Sequence, residues 1–201
     1  DTSAYAVPDF TSGRDEPELR ADIERAQVEH DNASRASDRL KDNRARLGAR
    51  LTVQRADIDA IKTRINLAKK EGRPDDRVTL EAQRKQSELD RKALEELNSL
   101  YAAEIDESDA RRDWAQAQIR SYEAELALER KRQERTEVQV TDTTTVRKTD
   151  NDIYDLEGKL LDARNEEANR QSDWANKYRA TVNQQASVYR ARAAARGETK
   201  H

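Results

Sequence analysis

Small or apolar residues recur at alternating spacings of four and three along the first third of this chain. The positions in this register are Leu19, Ile23, Ala26, His30, Ala33, Ser37, Leu40, Arg44, Leu47, Leu51, Gln54, Ile58, Ile61, Ile65 and Ala68. Nearly every residue between them is charged or polar. A mean spacing of about 3.5 residues keeps one stripe of a helix turned toward a partner helix, as in coiled coils. The pattern predicts one long helix over residues 16–71.

A sharp turn is predicted immediately after this helix. The sequence Glu71-Gly72-Arg73-Pro74 combines a helix stop, a tight turn and a new helix start. A turn this short requires helix two, over residues 75–135, to run back antiparallel. Its looser stripe includes Val78, Leu89, Leu97, Ile105, Ala115, Ile119 and Leu126. The stripe of helix three, over residues 150–197, includes Leu160, Trp174, Tyr178, Thr181, Gln185 and Val188.

The sequence therefore predicts an all-α fold. We expect a long antiparallel helical hairpin that forms a three-helix coiled-coil rod, with an extended N-terminal tail over residues 1–15 and a frayed C-terminus over 198–201. The tail contains Tyr5, Val7 and Phe10, three apolar side chains in a stretch interrupted by Pro8. Extended segments of this kind bind sheet edges or grooves of other proteins, so these three residues are candidate contacts for a neighbouring subunit.

Residues 136–149, between helices two and three, are rich in Thr and Val. Val138, Val140, Thr144 and Val146 share one face of a strand, and β-branched residues favour strands. The segment is predicted to be a short β-prone connector. A second interpretation makes it an edge strand that pairs with a neighbouring molecule, and the four residues are then a protein-interaction site.

Both tryptophans stand in the same tripeptide, Asp-Trp-Ala, at residues 113–115 and 173–175. If the chain folds back near residues 73 and 142, Trp114 comes level with His30 on helix one and with Trp174 on helix three. We therefore predict an aromatic layer of Trp114, Trp174 and His30, with small residues opposite making room for the two indoles.

Composition supports an elongated helical protein. Only 34% of the 201 residues are hydrophobic, which is too few to fill a large globular core but enough to line a narrow seam. The 38 basic and 41 acidic residues nearly cancel, and they alternate along the helices. This balance argues against nucleic-acid binding, and no apolar run approaches the length of a membrane span.

Candidate catalytic chemistry is sparse. The chain has two histidines, no cysteine and five scattered glycines, so it offers no triad, no thiol nucleophile and no phosphate-binding loop. A di-metal helical bundle needs two Glu-x-x-His pairs, and the sequence contains none. We expect no enzyme activity, no cofactor and no metal.

The expected function is that of a structural coiled-coil subunit. It would assemble with copies of itself or with another protein into a filament, envelope or surface structure. The alternative is a periplasmic adaptor or spacer that binds one defined partner; a chaperone-like binder is disfavoured by the polar turn at 71–76. Because residue 1 is Asp, N-terminal cleavage and export to the periplasm or cell surface are expected, with a virion component or a trimmed cytoplasmic protein as alternatives.

Overall fold

Three long helices make up the part of the chain that the structure describes. The computed structural model describes residues 14–137 and 143–197. Helix α1 spans Glu16–Lys70, α2 spans Pro74–Glu137 and α3 spans Thr143–Ala195. No strand occurs among these described residues. The predicted all-α fold, a helical hairpin followed by a third helix, is confirmed. Residues 1–13 of the expected tail over 1–15, and the expected frayed C-terminus over 198–201, lie outside the described residues.

A reciprocal cap begins α1. The backbone N–H of Glu18 donates to Asp15 Oδ1 at 2.9 Å, and the backbone N–H of Asp15 donates to Glu18 Oε2 at 3.2 Å. Pro17 lies in the first turn, where its missing N–H leaves no hydrogen bond unmade. This capping box satisfies donors that a helix start leaves free, so the sequence itself sets where α1 begins.

The turn between α1 and α2 depends on Gly72. Its φ is +67°, a left-handed conformation that residues with a Cβ rarely adopt. The N–H of Arg73 donates to the carbonyl of Ala68 at 3.0 Å, which closes the end of α1. The hairpin therefore reverses within three residues, as the sequence predicts.

Alanine at two glycines of this hairpin should have opposite effects. Gly72→Ala places a Cβ in the left-handed region and should lower the free energy of unfolding by about 1 kcal/mol. Gly48 is the matched control, since it lies inside α1 and a Cβ added there would have open space within 4 Å. Gly48→Ala should raise stability by about 0.5–1 kcal/mol. Urea unfolding of both variants measures this, and equal effects would contradict it.

The chain divides into two compact units, and every helix contributes to both. Among the described residues the first unit contains 14–32, 111–137 and 143–173, and the second contains 33–110 and 174–197. Buried apolar side chains of the first unit are Leu19, Ala26, Ala115, Ala117, Ile119, Leu126, Leu128 and Leu160. Those of the second are Ala33, Leu47, Leu51, Ile58, Ala68, Leu80, Leu100, Ile105, Ala110 and Val188.

The helices run antiparallel in the second unit. Near one end of the shared stretch, the hydroxyl of Ser37 on α1 donates to Asp109 Oδ1 on α2 at 2.9 Å. Nearer the turn, Gln54 Nε2 donates to the carbonyl of Ser87 at 3.3 Å. Rising residue numbers on α1 therefore meet falling numbers on α2.

The first unit shows the same arrangement for α2 and α3. Arg135 Nε donates to Asp150 Oδ1 at 2.6 Å, and Arg120 Nη1 donates to Glu166 Oε1 at 3.0 Å. The two helices are antiparallel there, with the levels that a reversal near residue 142 predicts.

The predicted extended connector over residues 136–149 is wrong for most of its length. Residues 136–137 belong to α2, and 143–149 form the first turns of α3. Thr144 is an exposed helical residue and Val146 a half-buried one, while Val138 and Val140 lie outside the described residues. β-Branched residues lose only a few tenths of a kcal/mol each in a helix, and packing compensates: Thr149 is 3% exposed, and its hydroxyl donates to the carbonyl of Thr145 at 2.9 Å.

Candidate functional site

The three residues of the predicted aromatic layer lie in different units. His30 and Trp114 belong to the first unit and Trp174 to the second, so the layer stays a prediction. The His30 ring is half-buried, with Nδ1 3.1 Å from Asp31 Oδ1. Tyr5, Val7 and Phe10, the predicted contacts of the tail, lie outside the described residues.

Trp174 anchors α3 on α2 within the second unit. Its indole Nε1 donates to Glu107 Oε1 at 3.2 Å. Its ring centroid lies 6.1 Å from that of Tyr178, with the two planes tilted by 40°. One turn further along, the buried Thr181 hydroxyl donates to the carbonyl of Ala103 at 3.1 Å. Polar contacts of this kind fix the register between helices.

A buried carboxylate that sequence reasoning missed lies in the first unit. Glu125 is 3% exposed, and its Oε2 accepts hydrogen bonds from Arg14 Nη2 at 2.7 Å and from Arg164 Nη2 at 3.3 Å. Arg14 also donates to Asp22 Oδ2 at 2.9 Å, and its guanidinium lies 5.2 Å from the centroid of the Tyr122 ring. The cluster joins Arg14, two residues before α1, to both other helices.

The neighbouring carboxylates favour the charged form of Arg14. Burial acts to lower the pKa of the Arg14 guanidinium, but the carboxylates of Glu125 and Asp22 outweigh it and raise that pKa above its ordinary value. The spacing of Glu125 from two buried neighbours could have revealed it as an inward residue. It follows Ser121 by four residues and precedes Leu128 by three, which is the spacing of an inward stripe.

A cavity of about 430 Å³ opens between the three helices of the second unit. Its lining includes Ala36 and Leu40 from α1, Glu104 and Ser108 from α2, and Tyr178 and Val182 from α3. Small side chains on α1 and α2 leave this space unfilled, and the volume is within the range of ligand pockets. Two carboxyl groups, of Glu104 and Glu107, and the guanidinium of Arg39 line the cavity beside its apolar side chains. It therefore suits a group with an apolar body and a polar end.

The pKa of the Glu104 carboxyl, which lines this cavity, differs from its ordinary value. Burial raises the pKa of this group above its ordinary value, the Glu107 carboxylate adds to the rise, and a hydrogen bond to Gln185 opposes it. Because folding raises this pKa, protonated Glu104 favours the folded state. That contribution to stability is full below the ordinary pKa of a glutamate and is lost as the pH rises through the folded-state value.

We therefore expect Glu104→Gln to stabilise the protein at pH 7 and to have little effect at pH 3. Urea unfolding at the two pH values measures the difference. Equal effects at both would show that burial does not destabilise the carboxylate.

Glu16 supplies a control of opposite sign. Hydrogen bonds from Arg130 and Arg20 lower the pKa of Glu16 to about 2. Its carboxylate contributes stability above the ordinary pKa, and that contribution is lost as the pH falls toward 2. Glu16→Gln should therefore weaken the fold at pH 7 and have a smaller effect at pH 3.

Several large apolar side chains remain exposed outside the helix seams. They are Val28, Val53, Leu67, Val78, Tyr154, Leu161, Tyr178, Val182 and Tyr189. The exposure of Val78 and Tyr178 contradicts the sequence prediction, which placed both on the inward stripes of their helices. In α2, Leu80 is buried in place of Val78, and in α3 the exposed Tyr178 follows the indole of Trp174 by one turn.

Comparisons with known proteins identify no relative. No protein-family model, no curated protein and no solved structure matches this chain. Within residues 14–137 and 143–197, no helix is both long and apolar enough to cross a membrane. The same residues contain no group of three or more His, Cys, Asp or Glu side chains arranged to hold a metal ion.

Proposed function

We propose that this protein is a non-enzymatic structural subunit whose coiled-coil helices self-assemble or pack into a larger protein assembly. The observation that carries the proposal is the heptad spacing of its exposed apolar side chains. Tyr154 and Leu161 stand seven residues apart, as do Val182 and Tyr189, and all four are exposed. Seven-residue spacing on the outside of a helix is the pattern of a seam that lacks its partner.

Polar groups inside the helix seams support the same function. Ser37 is 1% exposed and bonds Asp109, and Thr181 is 3% exposed and bonds the Ala103 carbonyl. An all-apolar seam would give more stability and less control of register. A subunit that must meet copies of itself in one arrangement benefits from a fixed register.

The cavity in the second unit favours a second candidate, an adaptor that binds one defined protein partner. Leu40, Tyr178 and Val182 give this cavity apolar walls beside the Glu104 carboxyl. Apolar side chains of a partner, inserted between the helices, would occupy it.

Light scattering after size exclusion, with negative-stain images of the same fractions, separates the two candidates. A self-assembling subunit should give a mass at least twice the 23.1 kDa of the chain, rising with concentration from about 1 to 500 µM. A monomer throughout this range would contradict self-assembly and leave the adaptor.

The N-terminal tail can be tested in the same experiment. A deletion of residues 1–13 removes Tyr5, Val7 and Phe10 while retaining Arg14 and the cap at Asp15. If the tail is a contact device, the deleted protein should lose mass relative to the full chain. An unchanged mass would show that the tail does not contribute to self-assembly, which would then depend on the helix faces.

A further inference from the structure

Four exposed apolar residues of α3 occupy one heptad position. Tyr154 and Leu161, in the first unit, are 71% and 45% exposed, and Val182 and Tyr189, in the second, are 45% and 81% exposed. The two positions between them in this seven-residue register, 168 and 175, are both Ala. Read along the chain, the series is Tyr, Leu, Ala, Ala, Val, Tyr. It runs from large through small to large, and it has nearly the same sizes from either end.

The charges beside this series change sign along α3. Asp155 and Asp162 follow Tyr154 and Leu161 directly, and both are exposed. From residue 174 to residue 197 there is no acidic residue, and the bases are Lys177, Arg179, Arg190, Arg192 and Arg196. The exposed apolar residues of α3 in the first unit thus lie beside acidic residues, and those in the second unit lie in a stretch whose charged residues are all basic.

We propose that α3 pairs antiparallel with α3 of a second copy of this chain. In that register Tyr154 meets Tyr189 of the second copy, and Leu161 meets its Val182. The same register brings Asp155 near Arg190 and Asp162 near Arg179, on one flank of the contact. A parallel pair would instead bring the acidic stretches of the two copies to the same level, and likewise the basic stretches, which disfavours association.

Two-fold symmetry makes the contact self-complementary. Each short stretch of one copy meets the opposite stretch of the other, so the same pair of contacts forms twice. The Ala residues at 168 and 175 let the helices approach between the bulky ends. This inference rests on the proposed function, because it names the partner and the surface of the assembly.

Reciprocal charge reversal tests the pairing. One variant carries Asp155→Arg with Asp162→Arg, and the other carries Arg179→Asp with Arg190→Asp. Each alone sets like charges across both contacts and should weaken the dimer at least about 10-fold. Mixed in equal amounts, the two variants restore opposite charges at every contact and should form a heterodimer of near wild-type affinity.

The matched control reverses two exposed bases of α3 that lie outside the series. Lys159→Asp with Arg170→Asp makes the same change in net charge as the second variant. The dimer affinity should change less than about 2-fold, because neither residue faces the proposed contact. Sedimentation at several concentrations gives the constants, and circular dichroism confirms that each variant is helical.

Cysteine cross-linking gives a second readout that does not depend on charge. The chain has no cysteine, so Tyr154→Cys and Tyr189→Cys are each the sole thiol of their variant. An oxidised mixture, with one variant tagged, should yield mainly the mixed disulfide. Mostly self-linked products would indicate parallel pairing and overturn the proposal.

The outcomes separate this inference from the proposed function. The α3 pairing would be overturned if the wild-type chain dimerises but both charge-reversal variants dimerise equally well, or if the two cysteine variants form no mixed disulfide. Self-assembly through another surface would then remain. A wild-type monomer at all concentrations would overturn both self-assembly and this pairing.

Discussion

Removing both arginines that face Glu125 should destabilise the protein strongly. The Arg14→Ala, Arg164→Ala variant leaves a carboxylate that is 3% exposed without its two hydrogen-bonding cations. Breaking a buried ion pair by removing one side typically costs about 3–5 kcal/mol, because the remaining charge stays out of water. We expect a loss of that size in the free energy of unfolding, measured by urea denaturation at pH 7.

The cause of that loss can be isolated with a third substitution. Adding Glu125→Leu removes the buried charge and should recover most of the stability. The matched control, Arg20→Ala with Arg25→Ala, removes two arginines from exposed ion pairs with Glu16 and Asp22 of the same unit. It should cost less than about 1 kcal/mol. A control as damaging as the Arg14 variant would mean that buried charge is not the reason.

Two adjacent leucines of α3 should respond very differently to truncation. Leu160 is fully buried, whereas Leu161 is 45% exposed. Leu160→Ala removes core contacts and should lower the free energy of unfolding by about 2–5 kcal/mol. Leu161→Ala should cost the monomer less than about 1 kcal/mol, since its side chain is already half in water.

The same pair distinguishes stability from assembly. If α3 pairs with a second copy, Leu161→Ala should weaken the dimer while leaving the monomer stable. Urea unfolding at low concentration and sedimentation at high concentration measure the two effects. Equal losses of monomer stability from both substitutions would show that the faces of α3 are misassigned.

The regular part of this fold was predictable because its physics is periodic. The register from Leu19 to Ala68 predicts α1 and its buried side, since a helix repeats its faces at that spacing. Of its fifteen positions only Arg44 is exposed. The Gly72 turn fixes the antiparallel direction of α2.

The errors lie where local preference and packing disagree. Residues 143–149 have strand-forming side chains, yet they continue α3, where Thr149 gains a buried position. Tyr178 fits the inward stripe of α3, but it lines an open cavity. The spacing of Glu125 places it on an inward stripe, but its partners Arg14 and Arg164 are too distant in sequence to be recognised from spacing.

The two units are assembled from different stretches of the chain, and this has a consequence for folding during synthesis on the ribosome. The α1–α2 hairpin of the second unit is one continuous stretch, Ala33–Ala110, in which Gln54 and Ser87 meet across 33 residues. In the first unit, Glu16 meets Arg130 across 114 residues, a closure that costs about 1 kcal/mol more in chain entropy. The start of α1 is synthesised first, yet the side chain of Leu19 stays exposed to water until the end of α2 has been synthesised and packs on it.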